Sequence, residues 1–163
     1  MTPALRPAGP ADESFLLRVY AGTREEELAQ LAWAREQKDA FIRMQFAARE
    51  HHYRQHYADA TFDVVTVNGV PVGLLYVARW AAEIRIVDVA IVAEHRGRGV
   101  GTALLENLIA EAGAAGKPLT IHVERFNPAL RLYERLGFSV IADEGVYLLL
   151  ARAPAGAQAK TAS

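Results

Sequence analysis

The residues best suited to chemistry lie together in Arg96-Gly97-Arg98-Gly99-Val100-Gly101-Thr102, three glycines and two arginines within seven positions. They follow an apolar run, Val89-Ala90-Ile91-Val92-Ala93, and precede Val100, Leu104, Leu105, Leu108, Ile109 and Ala112, which recur at helical spacing. The glycines therefore stand where a strand hands over to a helix. Glycine lets backbone approach a ligand closely, and the first N–H groups of a helix have no partner of their own. With the helix dipole and two guanidinium groups added, such a turn favours a phosphate. The alternative, from this stretch alone, is a tight turn with solvated arginines. Two other phosphate loops are excluded: G-x-G-x-x-G would need a glycine where Thr102 stands, and no lysine follows Gly101 as a P-loop requires.

A second strand-to-helix junction lies downstream at Asn127-Pro128, a capping residue followed by proline at the first helical position, with Leu132, Tyr133 and Leu136 after it and Gly137 as its stop. Asp88 and Glu83 are the carboxylates in the strand before the glycine loop. His52 and His56 stand at i, i+4, a spacing that can hold a metal. Tyr-Arg-Gln separates them and no third ligand is evident, so a polar aromatic face is expected and no metal.

The elements that must position these groups follow from periodicity. A short strand at 4–7 precedes a Gly9-Pro10 break. Phe15, Leu16, Val19 and Tyr20 predict a helix ended by Gly22, and Thr23 with Glu26 reads as a capping box opening a second helix with Leu28, Leu31, Ala32 and Trp33 on one face. A further helix is predicted over 39–57, with Phe41, Met44 and Ala48 on one stripe and Ile42, Phe46 and Tyr53 on another. Period-two strands at 62–67 and 72–78 flank an Asn68-Gly69 hairpin turn. The next strand, 82–92, changes parity near Asp88, the mark of a β-bulge. After a break at 113–118 come a strand at 119–123, the Asn127 helix, and a closing hairpin of 138–142 and 146–151. Residues 1–152 read as a single domain and 153–163 as a disordered tail.

Composition narrows the function classes. Eighteen Lys+Arg against nineteen Asp+Glu leave no broad basic footprint for nucleic acid. The 163 residues include no cysteine, which removes disulfides, thiolate metal sites and a cysteine nucleophile together. The first nine residues lack a signal pattern, and no apolar run approaches a membrane span. A cytoplasmic protein, monomer or homodimer, with no nucleic-acid or membrane partner, is the expectation.

Two motifs in fixed order then become specific. Arg96-x-x-Gly99-x-Gly101 and, about 30 residues on, Asn127-Pro128-Ala129-x-x-Leu132-Tyr133-Glu134-x-x-Gly137-Phe138 resemble the acetyl-CoA signature of the Gcn5-related N-acetyltransferase (GNAT) family. The resemblance covers roughly residues 4–152. It implies an α/β fold with a mixed, mostly antiparallel central sheet of six to seven strands flanked by helices, splayed around acetyl-CoA as co-substrate. It implies transfer of an acetyl group to a primary amine of a small molecule or peptide. Gly97, Gly99, Val100, Gly101 and Thr102, with Arg96 and Arg98, would grip the pyrophosphate, and Val89, Ala90 and Ile91 would pair with the pantetheine arm. In this sequence Asn127 lies six residues before Tyr133 where a common form of the family pattern has seven, so Asn127 is a cofactor contact, a cap for its own helix, or both.

Tyr133 is the candidate general acid, since a phenol of pKa ~10 can protonate a departing thiolate near ~8.5. Many members carry a glutamate eleven residues before the loop's first Arg/Gln; here that position is Arg85. Asp88 and Glu83 are the substitutes considered, as base or acceptor contact. His122 has the titration range, with nothing in the sequence to place it. Acceptor choice is expected from the region 19–57, with Tyr20, Trp33, Phe41, Gln45, His52 and Tyr53. Two other readings remain open on sequence alone: a non-catalytic acyl-CoA-binding module, and a partner-binding domain whose face is the 39–57 helix.

Overall fold

The structure, a computed structural model, describes residues 2–155. Of the tail expected at 153–163, residues 156–163 lie outside the described residues. The chain order is β1 (Ala4–Pro7), α1 (Glu13–Ala29), α2 (Arg35–His56), β2 (Thr61–Val67), β3 (Val70–Arg79), β4 (Ile84–Ile91), α3 (Val100–Ala115), β5 (Leu119–Glu124), α4 (Leu130–Arg135), β6 (Ser139–Glu144) and β7 (Tyr147–Arg152). One sheet contains all seven strands in the order β1-β2-β3-β4-β5-β7-β6. β1/β2, β5/β7 and β6/β7 pair antiparallel; β4/β5 pair parallel, in the register Ile84–Leu119, Arg85–Thr120 and Ile86–Ile121. This is the mixed, mostly antiparallel sheet that the resemblance implied. No helix among the described residues is long and apolar enough to cross a membrane.

Contacts gather the chain into two compact units that interleave in sequence: residues up to Tyr76 with Asp88–Val100, and Val77–Val87 with the chain from Gly101 onward. In the first, α1 buries Leu16, Val19 and Tyr20, and α2 buries Ile42, Phe46 and Tyr53. Of the two stripes predicted on α2, only the second is core; Met44 on the other is 62% exposed. β3 is buried from Val72 through Ala78 on both faces, as expected of a central strand that reads as one apolar run. In the second unit, Leu104, Leu105, Leu108 and Ala112 of α3 are buried, as are Leu119, Ile121 and Val123 of β5 and Leu148 and Leu150 of β7.

Two helical predictions need correction. α1 does not end at Gly22 but runs from Glu13 to Ala29, and no second helix opens at Thr23. The Thr23 hydroxyl donates back to the Tyr20 carbonyl at 2.6 Å, inside the helix, instead of capping a new one. One interior glycine costs about 1 kcal/mol, and the strong helix formers Arg24, Glu25, Glu26, Glu27, Leu28 and Ala29 follow it. Regular α-helix at the second junction begins at Leu130, after a turn over Pro128 and Ala129. In β4 the buried residues Ile84 and Ile86, and Val92 just beyond the strand, share one parity, with Val87 through Ile91 half-buried between them. The backbone nevertheless changes sides along the strand: Ile84 N–H donates to Pro118 O beside β5 at 3.0 Å, whereas Val92 N–H, of the same parity, donates to Val72 O of β3 at 2.9 Å, the one-residue shift that a bulge near Asp88 would give.

Candidate active site

β4 ends at Ile91, a short 3-10 turn covers Ala93–His95, and α3 starts at Val100, leaving four residues for the glycine turn. Gly97 and Gly99 take φ +74° and +83°, whereas Arg98 between them does not, since Asn68 is the only non-glycine at positive φ among the described residues. Alternation of left- and right-handed residues turns successive N–H groups toward one concavity, and the free N–H groups of α3 extend it. A Cβ at Gly97, Gly99 or Gly101 would meet nothing within 4 Å, so open space lies over this backbone. Val100, 2% exposed, anchors the helix start. These residues fit a pyrophosphate.

The two arginines differ. Arg96 Nε donates to the Ile91 carbonyl at 2.9 Å, and its Nη2 would lie 3.5 Å from a Cβ at Gly22 on α1. Its side chain thus reaches from the turn to the end of β4 and toward α1. Arg98 is exposed and carries no protein partner among the described residues. His95 Nδ1, just before the turn, is buried without a hydrogen-bond partner and is left for a bound group or water.

β4 orients its backbone by parity. Val92 N–H donates to Val72 O of β3 at 2.9 Å, and a Cβ on Gly73 would lie 2.3 Å from Ala90 O. Ala90 therefore faces β3, while Val89 and Ile91 direct their backbone groups the other way. Of the three residues expected to meet an extended ligand, Ala90 has its carbonyl against Gly73 of β3, and the Ile91 carbonyl is held by Arg96.

Asp88 sits between Val87 and Val89 with its side chain 16% exposed, and its Oδ2 accepts from Arg49 Nη2 at 3.1 Å and Nε at 3.3 Å. The Arg49 guanidinium lies 5.4 Å and 5.1 Å from the Tyr20 and Tyr53 ring centroids. Burial opposes its charge, but Asp88 and the neighbouring phenols outweigh burial and hold its pKa above the usual value. One residue on, Glu50 Oε1 accepts from the Tyr76 hydroxyl at 2.9 Å, and Tyr20 donates to Gln45 at 3.2 Å. Burial raises the Glu50 carboxyl, and burial with the Glu50 charge raises the fully buried Tyr76 phenol. Arg49, Glu50 and Tyr76 escaped the sequence reading. Their only signal was the density of Arg, His and aromatics along 39–57, because the residues meet from α2 and β3 without a local motif.

Glu83 is occupied: its Oε2 accepts from the Thr120 hydroxyl and from Arg85 Nη2 at 3.2 Å. Arg85, standing where the family often has glutamate, also donates from Nε to Thr120 at 2.7 Å. His122 pairs with Glu144 at 3.1 Å. Asn127 Oδ1 accepts the Ala129 N–H at 2.9 Å, closing the turn that leads into α4. Tyr133, on α4, is 5% exposed and packs edge-on against Phe138 at 5.5 Å. The His52 and His56 rings stack at 4.0 Å, and no group of three or more His, Cys, Asp or Glu among the described residues is arranged for a metal.

A cleft of about 510 Å³ in the first unit is lined by α1 (Arg18, Gly22, Glu25, Leu28), α2 (Ile42) and Val92, among others. The aromatics expected to shape an acceptor site, Trp33 and Phe41 included, do not line it; those two pack edge-on at 5.2 Å. A second cleft, about 390 Å³, includes Glu50 in its wall.

Comparison with known proteins agrees with the fold. No curated protein matches the chain in sequence. The PaiA N-acetyltransferase of Thermoplasma acidophilum, solved in complex with coenzyme A, is similar in structure at TM-score 0.69 and 18% identity, over 94% of this chain and 99% of that one. A Corynebacterium glutamicum structure described as histone acetyltransferase HPA2 and related acetyltransferase gives 0.66 at 26% identity, over 95% and 98%. An acetyltransferase from Thermus thermophilus gives 0.68 at 22%, over 94% and 97%. The family model described as acetyltransferase (GNAT) family matches residues 24–138, more than half of the sequence. The chain therefore belongs to the GNAT family and is an acetyl-CoA-dependent N-acetyltransferase.

Proposed function

We propose that the protein acetylates a primary amine of a small molecule or peptide by direct attack, with Tyr133 as general acid. Bound acetyl-CoA supplies an acetyl group already activated as a thioester. The glycine turn and the start of α3 hold its pyrophosphate through backbone N–H groups, and exposed Arg98 adds charge. The Val89 N–H, directed away from β3, polarises the thioester carbonyl. The observation that carries this reading is the glycine turn, with Gly97 and Gly99 at φ +74° and +83° beneath open space.

Tyr133 gives its phenolic proton to the departing sulfur. That transfer is uphill by about 1.5 units on ordinary values, so the hydrogen bond contributes alongside the proton. General-acid catalysis is typically worth ~10²–10⁴ in rate. Tyr133→Phe keeps the ring and its packing on Phe138, so turnover in a thiol-release assay should fall by that order while acetyl-CoA affinity stays near wild type. Unchanged turnover would remove Tyr133 from the mechanism.

A further inference from the structure

We propose that the 510 Å³ cleft walled by α1, α2 and the end of β4 seats an acceptor amine that carries a carboxylate on an apolar body, with Lys38 as the residue that selects it. The inference rests on the acetyl-transfer reading above and names the substrate class of that reaction.

Position singles out this cleft. Val92, Ala93 and Glu94 form one wall of it, and they stand between the last residue of β4, Ile91, and the glycine turn. Gly22 of α1 lines it too, and a Cβ there would lie 3.5 Å from Arg96 Nη2. Within one compact unit, the cleft therefore borders both the strand end and the turn proposed to hold acetyl-CoA. The 390 Å³ cleft has no wall from either. The larger volume also suits a small molecule, for which pockets of about 300–1,000 Å³ are usual.

The charges on the walls then define the ligand. Leu28, Ile42 and Val92 supply apolar surface, the last two buried. Arg18 and Glu94 pair with each other at 3.2 Å and neutralise one another. Lys38 and Arg35 line the cleft with no hydrogen bond or ion pair from their side chains among the described residues; Lys38 is half-buried and Arg35 exposed. Both stand in the opening turn of α2, which begins at Arg35, where the positive end of the helix dipole disfavours a cation. Two cations held against that dipole, one of them half-buried and unpaired, lack an anion. A ligand carboxylate supplies it through charge-assisted hydrogen bonds.

Glu25 and Asp39 also line the cleft, exposed and likewise unpaired among the described residues. They balance Arg35 and Lys38 and are open to the ammonium form of the incoming amine. The walls thus carry three cations, Arg18, Arg35 and Lys38, and three carboxylates, Glu25, Asp39 and Glu94. Such a cleft suits a zwitterion and gives no advantage to a polycation.

Thiol release from acetyl-CoA tests the assignment with two acceptor series. Phenylalanine, phenylalaninamide and phenethylamine share one body and differ at the carboxylate; 6-aminohexanoate and hexylamine repeat the comparison with the carboxylate far from the amine. The amines differ in basicity, so the decisive quantity is the change in the acid-to-amine ratio between wild type and variant. Wild-type kcat/KM should favour the acid in at least one series by ~10–10². Lys38→Met, which keeps the apolar stem, should raise KM for that acid by the same factor with kcat little changed, while the carboxylate-free amines and KM for acetyl-CoA stay as in wild type. Lys38→Glu should reverse the preference. An unchanged acetyl-CoA-induced thermal shift in both variants separates these effects from misfolding.

A wild type that takes the carboxylate-free amines as well as the acids in both series, or an acid preference that survives Lys38→Met, would overturn the assignment and leave acetyl transfer standing. A loss that falls on KM for acetyl-CoA would make the cleft part of the cofactor's site and overturn it as well. If no amine of either series releases thiol, the carboxylate class falls, and Tyr133→Phe on any other acceptor judges the transfer mechanism separately.

Discussion

Gly73 on β3 shows how closely one residue constrains β4, the strand proposed to align the thioester. A Cβ there would lie 2.3 Å from Ala90 O and 3.2 Å from Ile91 Cα, backbone atoms with no rotamer to yield. Gly73→Ala must push β3 from β4 beside Val89 and Ile91. An overpacking cost of about 1–3 kcal/mol is expected, seen as a lower denaturant midpoint at unchanged slope; an unchanged midpoint would show that the close approach does not exist in solution. The polar cluster on α2 belongs to the same scale. Arg49 binds Asp88 while Glu50 binds Tyr76, so adjacent residues on one helix reach two different strands. Spacing along the sequence reveals neither pair, because each is made by residues more than twenty positions apart.

Among the elements, α1 departs most from its sequence pattern. Gly22 followed by a Thr-x-x-Glu box reads as one helix ending and another beginning, yet the helix is continuous and Thr23 bonds back to Tyr20. If Gly22 is an ordinary interior position, Gly22→Ala should stabilise by about 1 kcal/mol, since the new Cβ would meet only Arg96 Nη2, at 3.5 Å. For a chain of this size that raises Tm by about 2–4 °C. A fall in Tm would restore the helix break. α4 illustrates the opposite case. Its Gly137 stop falls as expected, at φ +93°, while Asn127 holds the turn over Pro128 and Ala129 from which the helix starts at Leu130, because turn and stop chemistry are local.

For the whole molecule, ligand binding and stability are linked. Acetyl-CoA at about 100 times its Kd should add about 2.7 kcal/mol, or roughly 5–11 °C in Tm. Arg98 is exposed and without a protein partner among the described residues, so Arg98→Glu should leave the ligand-free Tm unchanged and abolish most of that shift. A full shift in the variant would sink the phosphate-grip reading. The sequence by itself determined the family, the order of strands and helices apart from the break it placed inside α1, and the two junctions with their glycines and the Asn127 turn, because periodicity and turn chemistry are short-range. It also marked Arg96 and Val89-Ala90-Ile91 without distinguishing their tasks. Only the tertiary structure decided that Arg96 reaches back to Ile91 and α1, that Ala90 faces β3 while Val89 does not, and that Glu83 is consumed by Thr120 and Arg85. It also brought Glu50, a residue no motif marks, to Tyr76. Those outcomes depend on which partner occupies each hydrogen-bonding group, and the partners come from distant parts of the chain.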